Sequence, residues 1–142
     1  MTRKETIEQP GDDFELLLRV IPRPNETNHT GDIFGGWLMS QIDIAGAVLA
    51  VEYTRGPVVT VSVKELTFLK PIFVYDLVSF YGKVEKIGTT SITIKIEVFA
   101  QRREAYHRNL TKISDATLVY VAVVKPGEKR MIGALGEKNE KK

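Results

Sequence analysis

No cysteine occurs in the sequence, and histidine occurs only twice. The first absence excludes disulfides, thiolate nucleophiles and any zinc site built on sulfur. The second leaves little for an imidazole-based metal site, because His29 and His107 are far apart with no ligand spacing. No apolar run approaches the roughly 18 uninterrupted residues that a membrane-spanning helix needs. The opening MTRKETIEQPGDD also has no apolar stretch of the kind that marks a secretion signal. The expectation is a cytoplasmic protein without membrane insertion, in which the sequons at Asn25, Asn28 and Asn109 are chance matches. An excess of one charge is missing too. Twenty Lys and Arg stand against 18 Asp and Glu, a net charge of +2, which is too slight to draw nucleic acid. The Arg-rich stretch QRREAYHRN is not interleaved with aromatic stacking platforms, so no nucleic-acid partner is expected.

What is present fits one folded domain. The chain has 142 residues, 43% hydrophobic and 27% charged, close to the globular average and within the size of a single core. Residues 1–12 are polar and read as a flexible segment, 13–125 as the domain, and 126–142, with KPGEKR and EKNEKK, as a polar, solvated tail.

Phe14 to Ile21 is an apolar run of strand length stopped by Pro22 and Pro24. A helix is expected from Phe34 or Gly35 to just before Gly56-Pro57. Val58 to Phe68 alternates, with Val59, Val61 and Val63 on one face and Thr60, Ser62 and Lys64 on the other, which is the period of a strand. Leu77 to Glu85 and Ser91 to Phe99 read as a hairpin with one wet face, and Ala116 to Val124 as a last, more buried strand. The helix is apolar or small nearly all round, so it belongs under cover rather than on a surface. A strand, a long helix and four further strands suggest an α+β hotdog fold, in which a curved antiparallel sheet of about five strands wraps one central helix.

Within GDIFGGWLMSQIDIAGAVLA, Asp43 is the one acid of the helix interior. Its helical neighbours are Met39 and Ser40 one turn back and Gly46 and Ala47 one turn on, so small residues leave room beside it. Gly46 costs about 1 kcal/mol relative to Ala in a helix, and close approach of another group is expected there. Two readings of Asp43 stand on this pattern, a structural acid bonded to a loop or a base, and a catalytic carboxylate. Gly35-Gly36 opens either a plain turn or a ligand site, since first-turn N–H groups lack internal partners and glycine admits close approach. The run lacks the GK[ST] ending of a phosphate loop, and a polarised carbonyl oxygen is the better guest. Ser40 reads as a local hydrogen-bonder rather than a nucleophile. Both histidines fall in expected loops. Phe34, Trp37, Met39 and Phe68 close a pocket or fill the core.

The segments NHTGDIFGGWLMSQID, AGA, VVTVSVKELTFLKPI, GTTSITIKIEVF and DATLVYVAV, in this order between Leu16 and Val124, resemble the acyl-CoA thioesterases of the hotdog fold. The resemblance is to the bacterial YciA-type enzymes in particular, and to the related cytosolic long-chain acyl-CoA hydrolases. It implies hydrolysis of acyl-CoA to a free acid and CoA without metal or other cofactor, and assembly as hexamers of three dimers. By position in the motif it implies that Asp43 is the catalytic aspartate, Asn28 the active-site asparagine, and Gly35 the helix-start glycine whose N–H binds the thioester oxygen. Gly36, Thr60 and Ser62 are assigned to substrate binding. Where the family carries a basic residue followed by an aromatic, this chain has Asn109-Leu110-Thr111-Lys112, so the charge for CoA phosphates is assigned to Arg102, Arg103, Arg108 and Lys112.

Gly35 and Asp43 lie eight positions apart, about 12 Å along one helix axis, too far to serve one carbonyl. A homodimer with composite sites, Asp43 from one chain and the donors from the other, follows if both act on one thioester. The rival reading is a non-catalytic acyl-CoA-binding regulatory domain of the same fold, which would keep the pocket and lose the acid. A dehydratase of this fold needs a histidine in the site, and the helix holds none.

Overall fold

A computed structural model describes residues 8–105 and 110–133. The elements follow the expected order. Strand β1 (Glu15–Val20) precedes helix α1 (Gly35–Thr54), and β2 (Val58–Phe68), β3 (Leu77–Ile87), β4 (Ser91–Gln101), β5 (Thr111–Lys125) and a short β6 (Glu128–Lys129) come after it. The sheet is antiparallel in the order β1-β3-β4-β5-β2, with β6 added to β5. Helix α1 packs against all of β1 to β5, which is the hotdog arrangement.

The helix begins at Gly35 without a side-chain cap and ends at Arg55, whose left-handed backbone turns the chain into Gly56-Pro57. Leu38, Ile42, Ala45, Gly46, Leu49, Ala50 and Thr54 form its buried face. Each of the larger apolar side chains on that face contributes about 1.5–3 kcal/mol on burial, and they meet Phe80, Ile94, Leu118 and Tyr120 of the sheet in one core. The opposite face of α1 is bare in the single chain, where Ile44, Val48 and Val51 are 47%, 45% and 43% exposed. The sheet therefore covers one side of a helix that is apolar on both.

The structure departs most from the sequence reading at three places. β5 starts at Thr111, not Ala116, because Ile113 and Ser114 are buried against β2 and β4 in a stretch whose mixed polarity hides the strand. The β3–β4 hairpin is tighter, with strands running to Ile87 and from Ser91 and closed by the bond from Gly88 N to Ser91 O. Packed structure also continues beyond residue 125. There β6 pairs with β5, and Ile132 is fully buried in the core. Residues 1–7 of the expected flexible segment and the EKNEKK tail lie outside the described residues, as do His107 and Arg108.

The strand β2 is the edge of the sheet and carries two register shifts, between Thr60 and Ser62 and between Val63 and Glu65. A bulge resets which side chains share a face. Thr60 stands opposite Tyr120 and Ser62 opposite Val119, so the two fall on opposite faces of the sheet rather than on one. The shifts bring Thr60, Val63 and Leu66 onto the face toward α1, a spacing of three that a regular strand forbids.

Candidate active site

Asp43 sits half-buried in the middle of α1, where it meets a cleft of about 300 Å³ also lined by Gly36, Ser40, Thr60, Val63 and Leu118. Two hydroxyls reach its Oδ1 oxygen. Thr60 Oγ1 donates at 2.7 Å, and Tyr120 Oη lies 3.2 Å away while bonded at 2.7 Å to the Asp43 carbonyl. Asp43 Oδ2 has no partner among the described residues. The carboxylate is thus held at one oxygen and presents the other, an arrangement suited to a base or nucleophile. The Tyr120 hydroxyl is held far above the ordinary phenol range, first by burial and then by the charge of Asp43 and the hydrogen bond to it, and so stays a proton donor.

A second cleft, of about 350 Å³, lies at the start of the helix between Asn28, Gly35, Phe34, Phe68 and Lys70. Its loop is fixed by backbone bonds from Asn28 N to Asp32 O, from Phe34 N to Glu26 O and from Ile33 N to Ile72 O, and by Gly31, whose φ of 95° suits a residue without Cβ. The Asn28 side-chain oxygen accepts from Thr30 N, Thr30 Oγ1 and Asp32 N at 2.9, 2.8 and 3.1 Å. With that oxygen saturated, the amide NH₂ of Asn28 is the group left to a ligand. The exposed N–H groups of Gly35 and Gly36 are likewise without partners among the described residues, at the positive end of a helix of 20 residues.

The predicted residues therefore fall into two sets. Asp43, Gly36 and Thr60 share one cleft, and Asn28 and Gly35 share the other. Ser62 lines neither, because the bulge turns it away. The basic residues are also elsewhere. Arg102 pairs with buried Asp76 and stacks on Phe73, and Arg103 stacks on Tyr75. Lys112 bridges Glu97 and Asp115 at 3.3 and 2.8 Å. Its partial burial works against charge, but the bonds and charges of Asp115 and Glu97 outweigh that and raise its pKa. Lys70, at the Asn28 cleft, was missed in the sequence because nothing in LTFLKPI sets it apart. Tyr120 was missed because it reads as one more apolar position of a buried strand. Among the described residues, no group of three or more His, Asp or Glu could hold a metal ion, and no helix is long and apolar enough to cross a membrane.

Comparison with known proteins identifies the family. Residues 30–106 match the Thioesterase superfamily. The chain is 48% identical over 124 residues to the acyl-CoA thioester hydrolase YciA of Salmonella typhimurium, covering 86% of this chain and 92% of that protein. The fold matches the hexameric thioesterase of Yersinia pestis with a TM-score of 0.80 at 45% identity, over 86% of this chain and 98% of that one. It also matches the acyl-CoA hydrolase of Staphylococcus aureus, solved with butyryl coenzyme A and coenzyme A, with a TM-score of 0.73 at 27% identity over 80% and 68% of the two chains. Solved variants of that hydrolase carry alanine in place of an asparagine, a threonine and an aspartate. This chain belongs to the thioesterase superfamily, as a hotdog protein akin to the YciA acyl-CoA thioester hydrolases.

Proposed function

We propose that the protein hydrolyses acyl-CoA thioesters to the carboxylic acid and CoA. The observation that carries this reading is the Asp43 carboxylate lining a mainly apolar cleft, anchored at Oδ1 and without a partner at Oδ2 among the described residues. The relatives named for the same reaction support it. A thioester carbonyl is already electrophilic, so a carboxylate that activates water or attacks directly, with N–H donors for the developing oxyanion, suffices without a cofactor. Asp43 supplies the first part. Gly35 N–H at the helix start and the Asn28 amide supply the donors, and because they line a different cleft of the same chain, they act from the partner subunit. The bare apolar side of α1 and the β2 edge, unpaired among the described residues, are the surfaces for that partner. A hexamer of three such dimers agrees with the hexameric Yersinia pestis relative. A regulatory acyl-CoA binder would have no use for an acid held in this way.

The test is a panel of acyl-CoA esters from acetyl to palmitoyl, followed by release of free thiol, on wild type and Asp43→Asn. The expected outcome is turnover by wild type and a loss on the order of a thousand-fold or more in the folded variant, as when a catalytic group is removed. Near-normal turnover by Asp43→Asn would end the assignment.

A further inference from the structure

Gly46 sits three residues after Asp43 in the interior of α1, and a Cβ there would run into the Oη and Cζ atoms of Tyr120. The helix carries the cost of a glycine, about 1 kcal/mol against alanine, at the one point where a phenol from β5 enters its surface. Tyr120 is fully buried between Thr60 of β2 and Ile92 of β4. Its hydroxyl has one proton and two acceptors, the Asp43 carbonyl at 2.7 Å and Oδ1 at 3.2 Å. The carbonyl already serves the helix ladder, so stability alone does not call for a second donor to it. The bond does tie the backbone and the carboxylate of one residue to a rigid central strand. Thr60, the other donor to Oδ1, comes from the edge strand and is itself exposed, so Tyr120 is the buried and better-fixed of the two.

We propose that Tyr120, seated in the notch left by Gly46, is a positioning residue that fixes Asp43 in the rotamer that turns Oδ2 into the cleft. The proposal rests on Asp43 being the reacting carboxylate. Tyr120 touches no substrate in this scheme and acts only through Asp43. Loss of its hydroxyl therefore lowers the rate of the chemical step without weakening substrate capture. The notch has the same purpose: with a methyl group at position 46 the phenol is pushed away from Asp43 while its hydroxyl is retained.

The experiment is steady-state hydrolysis of butyryl-CoA by wild type, Tyr120→Phe, Gly46→Ala, Asp43→Asn and the double variant Asp43→Asn/Tyr120→Phe, each checked for folding and assembly by circular dichroism and size exclusion. Tyr120→Phe keeps the ring and removes one donor to a charged group, and the expected fall in kcat is roughly ten- to hundred-fold with KM within about two-fold. Gly46→Ala should lose kcat in the same range, and Tyr120→Phe should add less than about two-fold to whatever rate remains in Asp43→Asn, because the two act as a unit. A Tyr120→Phe protein with wild-type kcat, or with a raised KM and unchanged kcat, beside an inactive Asp43→Asn would overturn the positioning role and leave the proposed function standing. An active Asp43→Asn protein would overturn both.

Discussion

At the scale of single residues, the site is a matter of which atoms are already spoken for. Among the described residues, Asp43 has one oxygen engaged and one without a partner, and Asn28 has its oxygen engaged three times over and its NH₂ without a partner. This predicts the behaviour of Asn28→Asp. A carboxylate at position 28 accepts the same bonds from Thr30 and Asp32, so the loop keeps its shape and the melting temperature stays close to wild type. The donor is lost, and a negative charge faces the developing oxyanion, so kcat should fall by on the order of a hundred- to a thousand-fold, the loss seen when one oxyanion donor is removed. Thermal melts and thiol-release assays on the same preparation check both halves. Unfolding of Asn28→Asp would show that the amide's role is to hold the loop.

Elements are positioned by what closes their ends. The last turn of α1 is clamped by Arg130, which donates to Thr54 O at 2.7 Å, to Pro57 O at 3.0 Å and to Val123 O at 3.1 Å. A cation on the last carbonyls of a helix answers both their free acceptors and the negative end of the dipole. Arg130→Ala should destabilise the protein by about 2 kcal/mol, read as a lower midpoint in urea, while kcat of the folded protein stays at the wild-type value, since the clamp is at the end of α1 opposite Gly35. A sharp loss of kcat with an unchanged midpoint would contradict this. The two bulges of β2 act at the same scale. They are why Thr60, Val63 and Leu66 line one cleft and Ser62 does not.

For the whole molecule the decisive fact is that Asp43 and Asn28 line separate clefts of one chain, and the composite site proposed from it can be tested by mixing variants. Asp43→Ala and Asn28→Ala should each be inactive alone. When they are unfolded together in equal amounts and refolded, random pairing makes half the dimers mixed, and half the sites in those are whole, so activity should return to roughly a quarter of wild type. Mass spectrometry establishes the mixed dimers. Their presence without regained activity would show that each site is built within one chain.

The order of strands and helix and the helical setting of Asp43 were determined by the sequence itself, because hydrophobic period and the Gly-Pro stop are local properties of the chain, whereas which face of the nearly all-apolar helix is buried was decided by the sheet. The ordered segments from Asn28 to Val123 also carried the family. The early start of β5 was not legible, since mixed polarity in TKISD conceals a strand that only its neighbours bury. Nor were the partners of Asp43. Gly46 announced that some group comes close, but that this group is the hydroxyl of Tyr120, 77 positions from Asp43, follows only from the register of β5 across the sheet. Thr60 reached Asp43 for the same kind of reason. Alternation placed it with Ser62, and a bulge, which depends on how two distant strands pair rather than on either sequence alone, separated them.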